Sequence, residues 1–459
     1  MIATLYILSI KYIVILVAII GLIYVIKKPK YTFYIMVFTF PFKNFYIWVG
    51  TDLQVWKLLS LAFLVIQLPN WLLKRKHSNK INKYVIVLFA FFIYVLFMTI
   101  VNGYFLDEQH IRQMLGGYFK NEGRIYFQII FFVLTLNLIL IPFNVLKSIS
   151  DVVKTLYVLL YALITLATLG VIQYIIVHLT GQDPFPIHGV NEIHTGFVLG
   201  IRDTVFRINS WAGEPKHMAI AMVVGITIML LGRVYKLKIV KHDLIVLALF
   251  TLNLFFTYST TGYAWMAMVL MLLVFIRGVF HWRSIVLMLS IIVITSISVV
   301  NMSSKSATAF DKQISRTGIE IQDETIKSYF LDEPFHAVIG TGLGNIHHYA
   351  VKYFPVNFPL FRNTPYKANS GLLYMMADYG LIGIILLYLA FWLLIGKNLS
   401  LLKSAHVEQK REIRILIYLA MIFSILFLSR YNELFYILFG LMFSINHLLK
   451  RSLYTERGK

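Results

Sequence analysis

The chain has 459 residues, of which 59% are hydrophobic, 15% aromatic and only 14% charged, with a mean hydropathy of +0.75 and a formal net charge of +21. A soluble domain is about half apolar and about a quarter charged, so this chain cannot cover itself in water. Soluble globular, disordered and collagenous classes are excluded, and the absence of cysteine excludes disulfide scaffolds and thiolate metal sites. What remains is an integral membrane protein, in which a surplus of Lys and Arg reports topology rather than nucleic-acid binding.

Runs of Leu, Ile, Val and Phe about 20 residues long point to helical spans, not to barrel strands that alternate over about ten residues. In chain order they lie near 4–26, 31–49, 53–73, 84–102, 125–141, 155–178, 215–232, 243–257, 262–277, 284–301, 371–396, 413–429 and 433–449. The first has no basic region before it and no small-residue cleavage site, so it reads as a retained span. The expected fold is an all-α integral membrane protein, one polytopic domain over 1–459 with about 13 transmembrane helices (12–14). The second run is interrupted by Pro41 and Lys43, and those between 243 and 277 are short.

Charge assigns the sides. When the spans alternate, the loops on one side carry 25 Lys and Arg against five acids, and the opposite loops carry 13 bases and 13 acids. This positive-inside pattern puts the C-terminus in the cytoplasm and the N-terminus outside. The two longest loops, about 179–214 and 302–366, then lie outside, where no nucleotide-activated sugar is available. An activated substrate there must arrive attached to lipid.

The first of these loops gathers Arg202, Arg207, Glu214, Lys216 and His217 directly before an apolar run. Glu214-Pro215 reads as a helix start, with proline where its missing N–H costs nothing. Free N–H groups and a positive dipole end at that helix start, beside Arg207 and Lys216, suit a phosphate or pyrophosphate. The plainer reading is a capping Glu214, snorkelling Lys216 and His217, and arginines that meet lipid headgroups. In the second loop, Phe310, Ile314, Ile321 and Tyr329 fall near helical spacing, so 308–330 reads as an amphipathic helix lying on the membrane. Gly340, Gly342 and Gly344 read as a tight turn, not a dinucleotide fingerprint, since no βαβ pattern surrounds them. His347 and His348, read as neighbours in a strand, point apart and have no acid at ligand spacing, so no metal is expected. Asp378 falls about two turns inside a span, either as a functional acid or as a hydrogen-bonded one near the interface.

Three stretches together resemble the O-antigen polymerase and O-antigen ligase family of bacterial polysaccharide assembly. They are FRINSWAGEPKHMAIAM (206–222), TYSTTGYAWMAM (257–268), and EPFHAVIGTGLGNIHHY (333–349) with NSGLLYMMADYGLIGIILLY (369–388). The resemblance covers about 190 residues by motif and the whole chain by layout. It implies a polytopic glycosyltransferase of the GT-C-like kind in the bacterial cytoplasmic membrane. Its implied substrates are oligosaccharide repeat units linked by pyrophosphate to undecaprenol, joined at the outer face for O-antigen, capsule or a related surface polysaccharide. Two departures stand out. Thr260 occupies a place where many relatives have arginine, and Ala368 replaces the histidine that ligases carry before Asn369. This favours polymerase over ligase and requires another basic residue to supply the lost charge.

The implied chemistry is metal-independent and cofactor-free. An acceptor hydroxyl attacks the sugar carbon that carries the pyrophosphate, which leaves with its charge stabilised by arginine. Glu214 is the first choice of general base and His217 the second, with Arg207 as the cation at the leaving group. Arg202, Lys216, Arg316, His347, His348, Arg362, Lys367 and Asn369 are expected to bind substrate. A carboxylate held by a neighbouring cation is a weaker base, in which case Glu214 orients Arg207 instead. A chain-length regulator and a flippase are the implied partners, besides membrane lipid, and nucleic acid is not one. A ligase and a lipid-linked oligosaccharide flippase are the competing functions. Against a transporter, span centres are nearly bare of charge.

Overall fold

The computed structural model describes residues 2–44, 46–48, 52–74, 83–104, 123–181, 183–184, 206–277, 317–350, 353, 368 and 370–457. In chain order its elements are α1 (Ile2–Lys27), α2 (Pro29–Thr39), β1 (Tyr46–Trp48), β2 (Asp52–Gln54), α3 (Val55–Lys74), α4 (Lys83–Tyr104), α5 (Gly123–Val145), α6 (Ile149–Thr180), α7 (Pro215–Val234), α8 (Asp243–Phe256), α9 (Thr260–Arg277), α10 (Thr317–Asp332), α11 (Pro334–Ile339), α12 (Ile346–Tyr349), α13 (Gly371–Ser404), α14 (Lys410–Ser429) and α15 (Leu434–Arg457). The two strands pair antiparallel, with Ile47 opposite Leu53. Everything else regular among the described residues is helix.

Six helical stretches among these residues are long and apolar enough to cross a membrane: α4, Gln128–Val145 of α5, α6, α7, α13 and α14. The chain is therefore a multi-pass helical membrane protein. Two reservations about the expected runs are borne out. The run at 31–49 is not one span, because α2 ends at Thr39 after 11 residues and the chain turns at Pro41 into the β-ribbon. Proline removes a helix donor and the ribbon takes up the apolar residues that follow. The short runs near 243–277 are separate helices of 14 and 18 residues. The expected run at 284–301 lies outside the described residues.

Contacts group the chain into two units. The first holds residues 1–73, 144–314 and 406–422. Helix α6 starts on a capping box, in which the Ser148 hydroxyl accepts from the Asp151 N–H and the Asp151 carboxylate accepts from the Ser148 N–H. Asp151 also receives Lys30 at 2.8 Å, which ties α2 to α6. At its far end, Gly181 closes the helix in the left-handed conformation. Helix α7 is buried on most of its surface, and small residues let its neighbours close in. A Cβ at Gly225 would meet the Phe250 ring of α8, and one at Gly262 of α9 would meet Ala219.

The second unit holds residues 74–143, 315–405 and 423–459. Its centre is α13, packed against α4 and α15. A buried polar chain crosses these helices. The Tyr84 hydroxyl donates to Asn446 (2.7 Å), Asn446 to Asn398 (2.8 Å), and Asn398 to the Met442 carbonyl (2.9 Å). Among apolar side chains, such bonds fix which helix faces which.

Candidate functional site

In the first unit the stretch 206–214 is irregular backbone that is almost wholly buried. Buried backbone must find partners, and here one side chain supplies two of them. The Gln173 side-chain oxygen on α6 accepts from the Asn209 N–H (3.1 Å) and the Ser210 N–H (2.8 Å). Its amide nitrogen donates to Asp183 and to the Asn209 side chain. Asn209 in turn donates to the Gly213 carbonyl, and the Asn44 N–H donates to the Trp211 carbonyl. Ser210 begins a single 3-10 turn with φ +47°, a left-handed conformation unusual for a side-chain-bearing residue, and its hydroxyl is buried without a hydrogen-bond partner among the described residues.

Arg207 is fixed by the turn between α8 and α9. Its Nε donates to the Thr257 carbonyl (2.9 Å) and its Nη2 to the Tyr258 carbonyl (3.2 Å), while the Ile208 N–H donates to Phe256. These carbonyls end α8, where the helix dipole is negative, so a guanidinium is well matched there. The stretches 206–222 and 257–268, noted separately in the sequence, are thus one construction.

Glu214 is the extended residue before Pro215 of α7 (φ −125°, ψ 146°), and Pro215 takes the first helical position as expected. The Glu214 side chain makes no cap hydrogen bond. It pairs with Lys216 at 2.5 Å, with the two side chains 45% and 36% exposed. Its carbonyl accepts from the His217 and Met218 N–H groups. Glu214, Lys216 and His217 thus lie at the start of a candidate span, and Arg207 lies in the buried segment that leads to it. Arg202 lies outside the described residues.

In the second unit the Gly-rich segment is a tight turn, with Gly340, Gly342 and Gly344 at φ +78°, +86° and +66°. It docks where α13 is broken at Gly380 (φ 66°, ψ 172°). The Thr341 N–H and hydroxyl both donate to the Ala377 carbonyl (2.8 and 2.9 Å), and the Gly344 N–H donates to the Asp378 carboxylate (3.0 Å). From α4, Tyr94 and Asn102 donate to the carbonyls of Ile339 and Gly340, and the Thr99 hydroxyl accepts from the Leu343 N–H. Asp378 is buried and hydrogen-bonded, in keeping with the second of its two readings.

The second unit also corrects two expectations. His347 and His348 lie in the one-turn helix α12, not a strand, and His348 is buried. The apolar face of α10 does not meet lipid at Tyr329, which packs with Ile326, Phe330, Ile346, Ala350 and Ala377. Position 321's side chain and residues 308–316 lie outside the described residues, as do Arg316, Arg362, Lys367 and Asn369. His336, in the quoted stretch but not singled out, is hydrogen-bonded through Nδ1 to the Tyr329 hydroxyl. Burial pushes its pKa below the ordinary 6.5, against the opposing pull of Glu333.

Sequence reasoning missed Gln173, Asn209, Thr99 and Asn102. Gln173 and Asn102 leave a trace, as lone amides in apolar runs. Compared with protein-family models the chain matches none, and no curated protein matches it.

Proposed function

We propose that the protein is a polymerase that joins undecaprenyl-pyrophosphate-linked oligosaccharide repeat units at the outer face of the bacterial cytoplasmic membrane. The observation that carries this reading is the anchored Arg207 in the buried segment that leads to the Glu214–Lys216 pair, at the start of a buried, span-length helix. Support also comes from the way the stretches that prompted the resemblance pair locally, 206–214 with 257–258 and 339–345 with 377–380. Strain at Ser210 beside these groups fits a site whose backbone is held for chemistry.

In the proposed reaction the acceptor sugar hydroxyl loses its proton to Glu214, or to His217, as its oxygen bonds the anomeric carbon. The bond from that carbon to the pyrophosphate oxygen breaks, and the charge left on the lipid pyrophosphate is met by Arg207 and Lys216. Arg202, Arg316, His347, His348, Arg362, Lys367 and Asn369 complete the proposed substrate contacts. The finer topology of about 13 spans, with the N-terminus outside and the C-terminus in the cytoplasm, belongs to the same proposal, as do a GT-C-like fold and partnership with a chain-length regulator and a flippase.

Purified protein in liposomes with lipid-linked repeat units as sole substrate tests the reading. Chains of several repeats are expected from the parent. Arg207→Ala and Glu214→Ala are expected to insert normally and leave single units. Full-length chains from both variants would remove the site. Product formed only when a second, lipid-A-like acceptor is added would make the protein a ligase, and translocation without joining would make it a flippase.

A further inference from the structure

Two lysines, Lys43 and Lys57, bracket the β-ribbon, and the proposed reaction uses neither. Both ammonium groups lie against one buried indole. Lys43 Nζ is 4.4 Å from the centre of the Phe40 ring and 5.8 Å from that of Trp56, and Lys57 Nζ is 5.7 Å from that of Trp56. The two charges are thus no farther apart than the last two distances laid end to end. Both lysines are half-buried. The Trp56 Nε1 donates to the Gln54 side chain, whose amide nitrogen donates to the Lys43 carbonyl (3.4 Å), so the indole and both lysines are tied together. Between residues 40 and 57 the chain sets these two cations against a single acid, Asp52. Like charges held this close repel, and cation–π contact offsets part of the repulsion. An anion that bridges them offsets more.

Within the first unit the ribbon adjoins the candidate site. The Asn44 N–H donates to the Trp211 carbonyl (3.0 Å), and the Phe42 ring meets the Trp211 ring edge-on, 5.8 Å between centres. A Cβ on Gly213 would lie 3.8 Å from the Asn44 Cβ. The segment 206–214 hangs in turn from Gln173, which lies about 33 Å along α6 from Asp151 at 1.5 Å per residue. Lys43 and Lys57 therefore share an end of α6 with Arg207, Glu214 and Lys216, while Lys30, bonded to Asp151, marks the other end.

What lies below Lys57 selects the kind of anion. Lys57, Leu61 and Val65 follow at four-residue steps and share one face of α3. Leu61 is 43% exposed and Val65 65%, in a helical stretch that is otherwise apolar. A charged head over an outward apolar stripe about 12 Å long fits a lipid with an anionic head better than a soluble anion. In the proposed reaction two lipid-linked units meet, and each carries a diphosphate. Arg207 and Lys216 answer the one that leaves. The acceptor's diphosphate stays on its lipid and has to be held without being activated. A lysine ammonium, a point charge with no bidentate fork, suits that task.

We propose that Lys43 and Lys57, backed by Trp56, form a second diphosphate site, which holds the lipid-linked acceptor with its polyprenyl tail along Leu61 and Val65. The inference rests on the polymerase reading for the identity of the acceptor.

Native mass spectrometry of the full chain counts bound undecaprenyl pyrophosphate, with phosphatidylglycerol as the ordinary anionic lipid. The parent is expected to hold two undecaprenyl pyrophosphates. The Lys43→Met, Lys57→Met double variant is expected to hold one at an unchanged unfolding temperature, and Lys43→Arg with Lys57→Arg to regain the second. Should the double variant fail to fold, Lys57→Met alone carries the test. In the liposome assay the Met variant is expected to need about tenfold more repeat unit for half-maximal rate, with the saturated rate kept. An unchanged lipid count would overturn the site, and so would phosphatidylglycerol that binds equally well and is lost with the same lysines. Normal polymer synthesis after loss of the second lipid would overturn the acceptor role. One lipid in the parent and none in the Met variant would leave the ribbon site standing and remove Arg207 as a diphosphate ligand, so failure of the earlier reading is told apart from failure of this one.

Discussion

Replacing Gly380 by alanine is expected to destabilise the protein by about 2–6 kcal/mol, while the same change at Gly396 in the same helix is expected to stabilise it. Gly380 holds φ 66° and ψ 172°, a region almost restricted to glycine, and a side chain there costs about 1–3 kcal/mol. The added Cβ would lie 2.3 Å from the Gly340 nitrogen, 2.3 Å from the Ile339 carbonyl carbon and 2.5 Å from the Val338 oxygen. These are backbone atoms of a turn held from two helices, so relief requires moving the turn, and overpacking of this kind costs about a further 1–3 kcal/mol. A Cβ added at Gly396 would meet nothing within 4 Å, and the residue is helical, so alanine gains about 0.5–1 kcal/mol there. Thermal unfolding of wild type and both variants in one detergent measures the difference. Gly340→Ala approaches the same contact from the other side, 2.5 Å from the Gly380 nitrogen, so the double variant is expected to cost less than the two singles added. Equal shifts for Gly380→Ala and Gly396→Ala, or a Gly380→Ala curve that overlies wild type, would refute the docked turn.

Gln173→Leu strips the acceptor from two buried N–H groups, and is expected to cost about 2–4 kcal/mol in thermal unfolding and to expose the 206–214 segment to protease. Tyr84→Phe removes the donor to Asn446 at the end of the buried amide chain. Its expected cost is small, about 0.6 and at most about 1.7 kcal/mol, and Asn446→Leu in the Tyr84→Phe background gives the coupling by double-mutant cycle. His336 has a folded-state pKa below its ordinary 6.5, so the folded protein binds its proton less readily than the unfolded chain. The stability it contributes is present above pH 6.5 and is lost as pH falls through the folded value. His336→Gln is therefore expected to flatten the acid side of the stability profile. An unchanged acid limb would show that another group sets it.

The six span-length helices were legible because hydrocarbon demands long apolar runs, and nothing else in the sequence competes with that signal. The break in the run at 31–49 was legible in Pro41 and Lys43, although mean hydropathy weighs Phe40, Phe42 and Tyr46 alike whatever backbone they lie in. The turn at Gly340–Gly344 was visible, since left-handed backbone favours glycine, but its seat at Gly380 was not. Nothing in a glycine says which other glycine it faces. Gln173 was visible only as an amide in an apolar run, and its backbone partners Asn209 and Ser210 lie 36 and 37 residues away. The acceptors of Arg207 were illegible for a plainer reason. They are backbone carbonyls, 50 and 51 residues on, and a carbonyl has no side-chain signature.

That last point decides how the site should be probed. Arg207 holds a turn as well as carrying a charge, so Arg207→Ala removes two hydrogen bonds to the end of α8 together with a cation. A loss of product in that variant mixes structure with chemistry. Arg207→Lys keeps the charge but not the guanidinium fork, so it separates the two contributions. The Glu214 carboxylate pairs with Lys216 at a half-exposed edge, and Glu214→Gln keeps its shape while removing its charge and its basicity. If Glu214 accepts a proton, Glu214→Gln loses turnover with little change in unfolding temperature. If it only steadies Lys216, the loss is shared by Lys216→Met. Turnover lost in Glu214→Gln and kept in Lys216→Met is the pattern that assigns the base, whereas equal losses in both assign the pair a binding role.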